Sequence, residues 1–213
     1  MRLVTFRTEG VTRIGAVRDG KVVELAEPRD MLSLIDAGDA GLDAARSALA
    51  SNRARTIPVE NVQLLAPVPE PRGNVIAIGR NYQAHAEESA RAAGKVVAPP
   101  TVFTKASTSV AGPHDDIRID RSVTSQVDWE VELGIVIGRS GLNIAREQAL
   151  DHVLGFVTVN DVSARDVQFG WGGQYFKGKS LDGFCPLGPW IVTRDEIADP
   201  QSLRLLLRIN GET

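Results

Sequence analysis

Asp128-Trp129-Glu130-Val131-Glu132-Leu133-Gly134-Ile135-Val136-Ile137-Gly138 is the stretch on which the reading of this chain turns. Successive side chains of a strand point to opposite faces. Trp129, Val131, Leu133, Ile135 and Ile137 therefore share one face, and Asp128, Glu130 and Glu132 share the other. Carboxylates two residues apart lie about 7 Å apart along a strand. Both can reach one hard cation such as Mg²⁺, which takes oxygen ligands and keeps positions open for water or substrate. The same alternation also describes the solvated outer face of a half-buried strand. Residues 134–138 are apolar on both faces, so the acids adjoin a segment expected to be buried, where unpaired carboxylates are costly. That favours the metal.

Working outward, Phe156-Val157-Thr158-Val159-Asn160-Asp161 reads as a strand ending in a third acid. Asp161 falls at a strand-to-helix corner, where side chains point into sites. Ser163 and Asp166 have the spacing of a capping box, so Asp166 is expected to cap a helix. Arg165 and Gln168, three apart, share a face of that helix. Upstream, residues 74–88 run from a strand through Gly79 into a helix carrying His85 and Glu88. At that spacing the carboxylate can orient the imidazole, and the pair could serve as a general base. An exposed histidine on a polar, Ala-rich helix is the other reading. His114 and His152 lack comparable neighbours. Gly94 and Pro99-Pro100 punctuate the chain after this helix, making 83–98 a candidate lid.

Gly173-Gln174-Tyr175-Phe176-Lys177-Gly178-Lys179-Ser180 fits the expression G-x-x-x-x-G-K-S of a phosphate-binding loop. That chemistry needs a strand before the loop and a helix N-terminus after it. Phe169-Gly170-Trp171-Gly172 precedes it, and two prolines and two glycines fall within the next nine residues. Nucleotide binding is rejected on that ground. Lys179 stays of interest as a cation in a Gly-rich loop, where an anionic substrate could meet it.

The whole chain has 213 residues, 24 basic and 27 acidic, with a net charge of −3 and no run of like charge. That excludes a general nucleic-acid binder, which needs clustered Lys and Arg, and leaves small acidic substrates open. Cys185 is the sole cysteine, so an intrachain disulfide and a thiolate zinc cage are both excluded. No stretch approaches the roughly 18 apolar residues of a membrane span, and a cytoplasmic protein is expected. Residues 2–7, 12–17 and 21–25 read as a β-meander, with Asp19-Gly20 a strong hairpin signal. Helical patterns come next, at 29–36 and 42–51. Pro58, Pro67, Pro69 and Pro71 lead to Arg72-Gly73, the best linker candidate. The expected division is a small domain over 1–66 and a β-dominated one over 73–213, with strands at 74–78, 101–105, 127–137, 154–160, 189–192 and 203–209. Asn210-Gly211 is a hairpin turn with almost no chain left to return, so the native polypeptide is expected to continue past Thr213.

Together these segments resemble the fumarylacetoacetate hydrolase family. The matching pieces are Ile78-Gly79-Arg80-Asn81-Tyr82 with His85 and Glu88, Val102-Phe103-Thr104-Lys105, Trp129-Glu130-Val131-Glu132-Leu133, residues 160–168, and Gly178-Lys179-Ser180-Leu181-Asp182. The resemblance covers residue 75 to the end. It implies an α+β, β-dominated fold, a mixed β-sandwich or roll with a small N-terminal α/β domain, and commonly a homodimer. It implies Mg²⁺ or Mn²⁺ on Glu130, Glu132 and Asp161, and His85, Glu88 and Lys179 as catalytic residues. Arg80, Tyr82, Lys105, Arg165 and Gln168 would bind a small acidic 2-oxo acid. Members continue through a segment that completes the pocket wall, which this sequence lacks. The implied reaction is Mg²⁺-dependent C–C hydrolysis of an acylpyruvate-like β-diketo acid. Decarboxylation or isomerisation of a related 2-oxo acid is the runner-up, and a non-catalytic, metal-stabilised binding protein the alternative from another class.

Overall fold

The computed structural model describes residues 1–82, 87, 91 and 99–213. The expected meander forms as β1 (Arg2–Thr8), β2 (Val11–Arg18) and β3 (Lys21–Glu24), paired antiparallel. Both turns put two residues at positive φ, Glu9-Gly10 at 51° and 77° and Asp19-Gly20 at 50° and 71°. Those are the values of a two-residue hairpin turn whose twist matches its strands. Asp30 opens α1 (Met31–Asp36), its side chain accepting from the Ser33 amide at 2.8 Å, and α2 (Asp39–Ala50) comes after it. β4 (Thr56–Pro58) and β5 (Gln63–Leu64) complete this part.

Among the described residues the remaining strands and α-helices are β6 (Val75–Gly79), β7 (Thr101–Lys105), β8 (Val110–Ala111), β9 (Val127–Asp128), β10 (Val131–Ile137), β11 (Val153–Asn160), β12 (Ser163–Ala164), α3 (Arg165–Gly170), α4 (Tyr175–Lys179), β13 (Cys185–Pro186) and β14 (Ile191–Thr193). The main sheet runs β10-β11-β14-β1-β2-β3-β4, with β5 on β1. β1 pairs with β14, Arg2 opposite Val192 and Leu3 opposite Ile191, so the N-terminal strands continue the sheet that carries β10 and β11. One apolar cluster takes the same path. Leu3, Ile14 and Leu34 from the N-terminal part pack with Leu154 and Ile191. No described helix is long and apolar enough to cross a membrane.

Three expectations are corrected. The 127–137 run is two strands, broken at Trp129-Glu130, because Asp128 pairs with Ser163 while Val131 pairs with Asn160. Residues 135 and 137 are not buried: Ile135 and Ile137 are 54% and 59% exposed. β10 is the edge strand of the sheet, bonded there only to β11; Val136 packs against the core while Ile135 and Ile137 are left to solvent. Residues 203–209 form no named strand. The Asn210-Gly211 turn does form, at φ 52° and 87°, with Ile209 and Glu212 exchanging amide–carbonyl bonds of 2.8 and 2.9 Å. Turn chemistry is local, whereas a strand needs a partner.

Candidate active site

Two strand ends bring the acids together. The Asp161 amide donates to the Glu130 carbonyl at 2.8 Å, and the Glu130 amide donates to the Asn160 side-chain oxygen at 3.3 Å. The broken strand thus sits against the corner at the end of β11. β9 pairing with β12 sets Asp128 opposite Ser163, two residues before Arg165. The polarity of the segment is inverted relative to an ordinary amphipathic strand: Glu130 and Glu132 are half-buried while Trp129 is exposed.

Among the described residues three cations meet these carboxylates. Lys179 Nζ donates to Glu130 Oε2 at 2.5 Å and to Asp161 Oδ2 at 2.7 Å. Arg165 Nη2 donates to Asp128 and Glu130 at 2.6 Å each, and its Nη1 donates to Gln168 Oε1 at 2.9 Å. Lys105 Nζ donates to Asp161 Oδ1 at 2.5 Å and to the Val162 carbonyl at 3.1 Å. The Tyr82 hydroxyl donates to Glu132 Oε2 at 3.1 Å. Gly178 makes the Lys179 position possible. A Cβ there would stand 2.5 Å from the Gln168 amide nitrogen and 2.7 Å from the Ala164 carbonyl oxygen, so only glycine lets α4 lie this close to α3.

The electrostatics arise from this arrangement. Burial opposes ionisation of Glu130, but hydrogen bonds from Lys179 and Arg165 outweigh it and hold the carboxyl down at about 2. Glu132 moves the opposite way. Burial raises it, the Tyr82 hydrogen bond only partly offsets that, and the nearby charges of Glu130 and Asp161 raise it further. The Tyr82 hydroxyl is raised by burial and by Glu132. Arg165 is raised, the carboxylates of Glu130 and Asp128 outweighing its burial. Burial lowers Lys105 despite its Asp161 partner.

Among the described residues no three His, Cys, Asp or Glu side chains form a ready metal cage. The donor chemistry nevertheless fits a hard divalent cation. Glu130 and Asp161 already converge on a single positive charge, and Glu132 is close enough for its acidity to register both of them.

Of the residues singled out in the sequence, Tyr82, Lys105, Glu130, Glu132, Asp161, Arg165, Gln168 and Lys179 gather here. His85 and Glu88, with most of 83–98, lie outside the described residues. Arg80 turns instead to the start of β7, donating to the Pro99 carbonyl at 3.1 Å and to the Thr101 hydroxyl. Lys179 ends a short helix, α4, rather than lying in a loop. The capping box does not form: Ser163 Oγ donates to the Asp161 carbonyl at 3.0 Å. Asp166 accepts from the Thr124 hydroxyl at 2.5 Å and the Ser125 amide at 3.0 Å, pinning the loop before β9. Sequence reasoning missed Asp128 as the partner of Arg165, although it shares the face of Glu130. It also missed Phe103, whose ring centroid lies 5.3 Å from Lys179 Nζ and 5.5 Å from the Tyr175 ring. Nothing in strand spacing marks that contact.

A sheet extended by this corner, with carboxylates and ammonium groups facing one another, defines a class of acid-rich α+β enzyme site. The family model for the fumarylacetoacetate hydrolase C-terminal domain matches residues 74–213. A mitochondrial oxaloacetate tautomerase of Xenopus laevis is 41% identical over 224 residues, covering all of this chain and 68% of that protein. A putative HpcE protein of Mycobacterium smegmatis superposes with a TM-score of 0.81 at 37% identity, over 100% of this chain and 73% of the other. A maleylpyruvate hydrolase of Sphingobium sp. SYK-6, solved with manganese(II) and pyruvate, has a TM-score of 0.73 at 30% identity, over 94% and 70%. The chain belongs to the fumarylacetoacetate hydrolase family of enzymes. It spans about two thirds of the length of the curated relatives it matches.

Proposed function

We propose that this protein interconverts the keto and enol forms of a short, acidic 2-oxo acid of the oxaloacetate type, using a divalent cation. The observation that carries this reading is the convergence of Glu130 and Asp161 on one ammonium, with Arg165 and Gln168 alongside. The Xenopus tautomerase, matched along the entire chain, supports the choice of reaction over the C–C hydrolysis that the resemblance placed first. Hydrolysis stays as the second reading, favoured by the manganese- and pyruvate-bound maleylpyruvate hydrolase.

Glu130, Glu132 and Asp161 would hold Mg²⁺ or Mn²⁺, which supplies Lewis-acid stabilisation of the developing enolate. Among the described residues, Lys105, Lys179 and Arg165 stand with Asp128, Glu130, Glu132 and Asp161, one net negative charge in the cluster. A dication with a substrate carboxylate brings that sum close to neutral. Arg165 and Gln168 would orient the substrate carboxylate, and Lys179 would place positive charge where the C2 oxygen gains electron density. His85, oriented by Glu88, would take the proton from C3. The electrons of that C–H bond would form the C2–C3 double bond as the C2–O π pair moves onto oxygen, and water would protonate that oxygen while His85 returns its proton to water, completing the enol. A homodimer and a cytoplasmic location belong to the same proposal.

The test is enol absorbance of oxaloacetate followed with the purified chain, with added Mn²⁺ and after chelation, beside a panel of acylpyruvates followed for cleavage. Metal-dependent acceleration of tautomerisation is the expected result. Cleavage of an acylpyruvate without tautomerisation would replace this reading by the second one.

A further inference from the structure

We infer that Lys105 is a positioning residue, one that fixes the Asp161 carboxylate from behind and does not touch substrate. The inference rests on the reading of Glu130, Glu132 and Asp161 as the cation-facing set. Lys105 is 1% exposed, at the end of β7. Its ammonium takes one oxygen of Asp161 at 2.5 Å, and Lys179 takes the other at 2.7 Å. A single buried carboxylate therefore carries a different lysine on each oxygen.

The two lysines are not equivalent. The second partner of Lys179 is the Glu130 carboxylate, a side chain 28% exposed and so open to the site. The second partner of Lys105 is the carbonyl of Val162, the residue next to Asp161, at 3.1 Å. Lys105 thus binds the side chain and the adjoining peptide of one corner together, and the carboxylate cannot rotate without breaking that clamp. The strand end that carries it is pinned as well. The Ala106 amide donates to the Ser180 hydroxyl at 2.9 Å, which joins the residue after Lys105 to the residue after Lys179. A buried ammonium and carboxylate in this geometry satisfy each other, and removing one leaves the other uncompensated. Lys105 accordingly holds Oδ2 of Asp161 towards Glu130, the direction from which a shared cation is met. Placed behind the carboxylate, its ammonium is not offered to a substrate.

The experiment is Mn²⁺ binding to the 213-residue chain, read from the electron paramagnetic resonance of free Mn²⁺, in wild type, Lys105→Met, Asp161→Asn and the double variant. Lys105→Met is expected to weaken Mn²⁺ by about 10–100-fold, the usual effect of removing a group that orients a ligand. It is expected to add nothing further in the Asp161→Asn background, and Lys105→Arg is expected to recover part of the loss. Affinity of the Mn²⁺-saturated Lys105→Met protein for oxalate, a planar mimic of an enolised 2-oxo acid, is expected to match wild type. Wild-type Mn²⁺ affinity in Lys105→Met overturns the inference, and so does lost oxalate affinity with Mn²⁺ binding intact, which would make Lys105 a substrate ligand. If Lys105→Met does not fold, Lys105→Gln, which keeps a donor for the Val162 carbonyl, takes its place. Should the wild-type chain itself bind no Mn²⁺, the cation reading fails. The clamp is then judged by urea unfolding of the same four proteins: non-additive losses support it and additive losses overturn it.

Discussion

Lys179 is 2% exposed, and its ammonium bridges two carboxylates that come from separate strand ends. Its charge therefore does two things. It keeps Glu130 ionised, which burial alone would oppose, and in the proposed reaction it would supply positive charge to the developing enolate oxygen. Lys179→Met is expected to lower kcat by about 10²–10³-fold, the scale for losing one stabilising donor at a developing oxyanion. Steady-state kinetics on a folded variant checks it; an unchanged kcat would remove Lys179 from the chemistry. Glu132 has a different task. Its carboxyl is held above the usual carboxylate range, first by burial and then by the neighbouring charges of Glu130 and Asp161, so it is a weaker acid than Glu130 beside it. Glu132→Gln is expected to abolish Mn²⁺ dependence while leaving the fold intact by circular dichroism.

At the scale of elements, the site depends on how closely α4 packs on α3 and how firmly the loop before β9 is held. Gly178 sets the first distance. Gly178→Ala brings a methyl against the backbone of Gln168 and Ala164, neither of which is a flexible side-chain tip. It is expected to cost about 1–3 kcal/mol, the usual range for overpacking, and to lower kcat by displacing Lys179. A urea melt together with kinetics reads both effects. Asp166 sets the second. Hydrogen bonds from the Thr124 hydroxyl and Ser125 amide hold its carboxyl below its ordinary value of 3.8. A carboxyl lowered on folding contributes its stabilisation in full above the unfolded value and loses it as pH falls through the lowered, folded one. Protection of the amides across residues 120–126, taken relative to their intrinsic exchange rates, is therefore expected to fall as pH drops below about 4, and Asp166→Asn is expected to remove that pH dependence.

Over the whole molecule, the N-terminal meander and the strands that carry the site share a sheet and a core. Leu3 is fully buried, opposite Ile191 in the register of β1 with β14. Leu3→Ala is expected to cost about 2–5 kcal/mol. Because the cluster spans both parts, circular dichroism and the fluorescence of Trp129, Trp171 and Trp190 are expected to report one coincident transition in the variant as in the wild type. Separate transitions would show that 1–66 unfolds by itself.

What the sequence determined unaided was local chemistry and order. The meander, its Asp19-Gly20 turn, the two helices after it and the Asn210-Gly211 turn all rest on neighbours a few residues apart, which period and turn residues encode directly. Alternation and an acid at a strand end picked out Glu130, Glu132 and Asp161, but the strand breaks at Trp129-Glu130, and the bond from the Asp161 amide to the Glu130 carbonyl is what sets Glu130 beside the corner. Only the tertiary structure decided their partners. That Lys105 and Lys179 take opposite oxygens of Asp161, or that Arg165 reaches Asp128, depends on elements 18 to 56 residues apart meeting in space. The exposure of Ile135 and Ile137 was equally out of reach, because an apolar run looks the same in the middle of a sheet as at its edge. Neighbouring strands and covering layers settle that difference, and they are set by the packing of the entire chain.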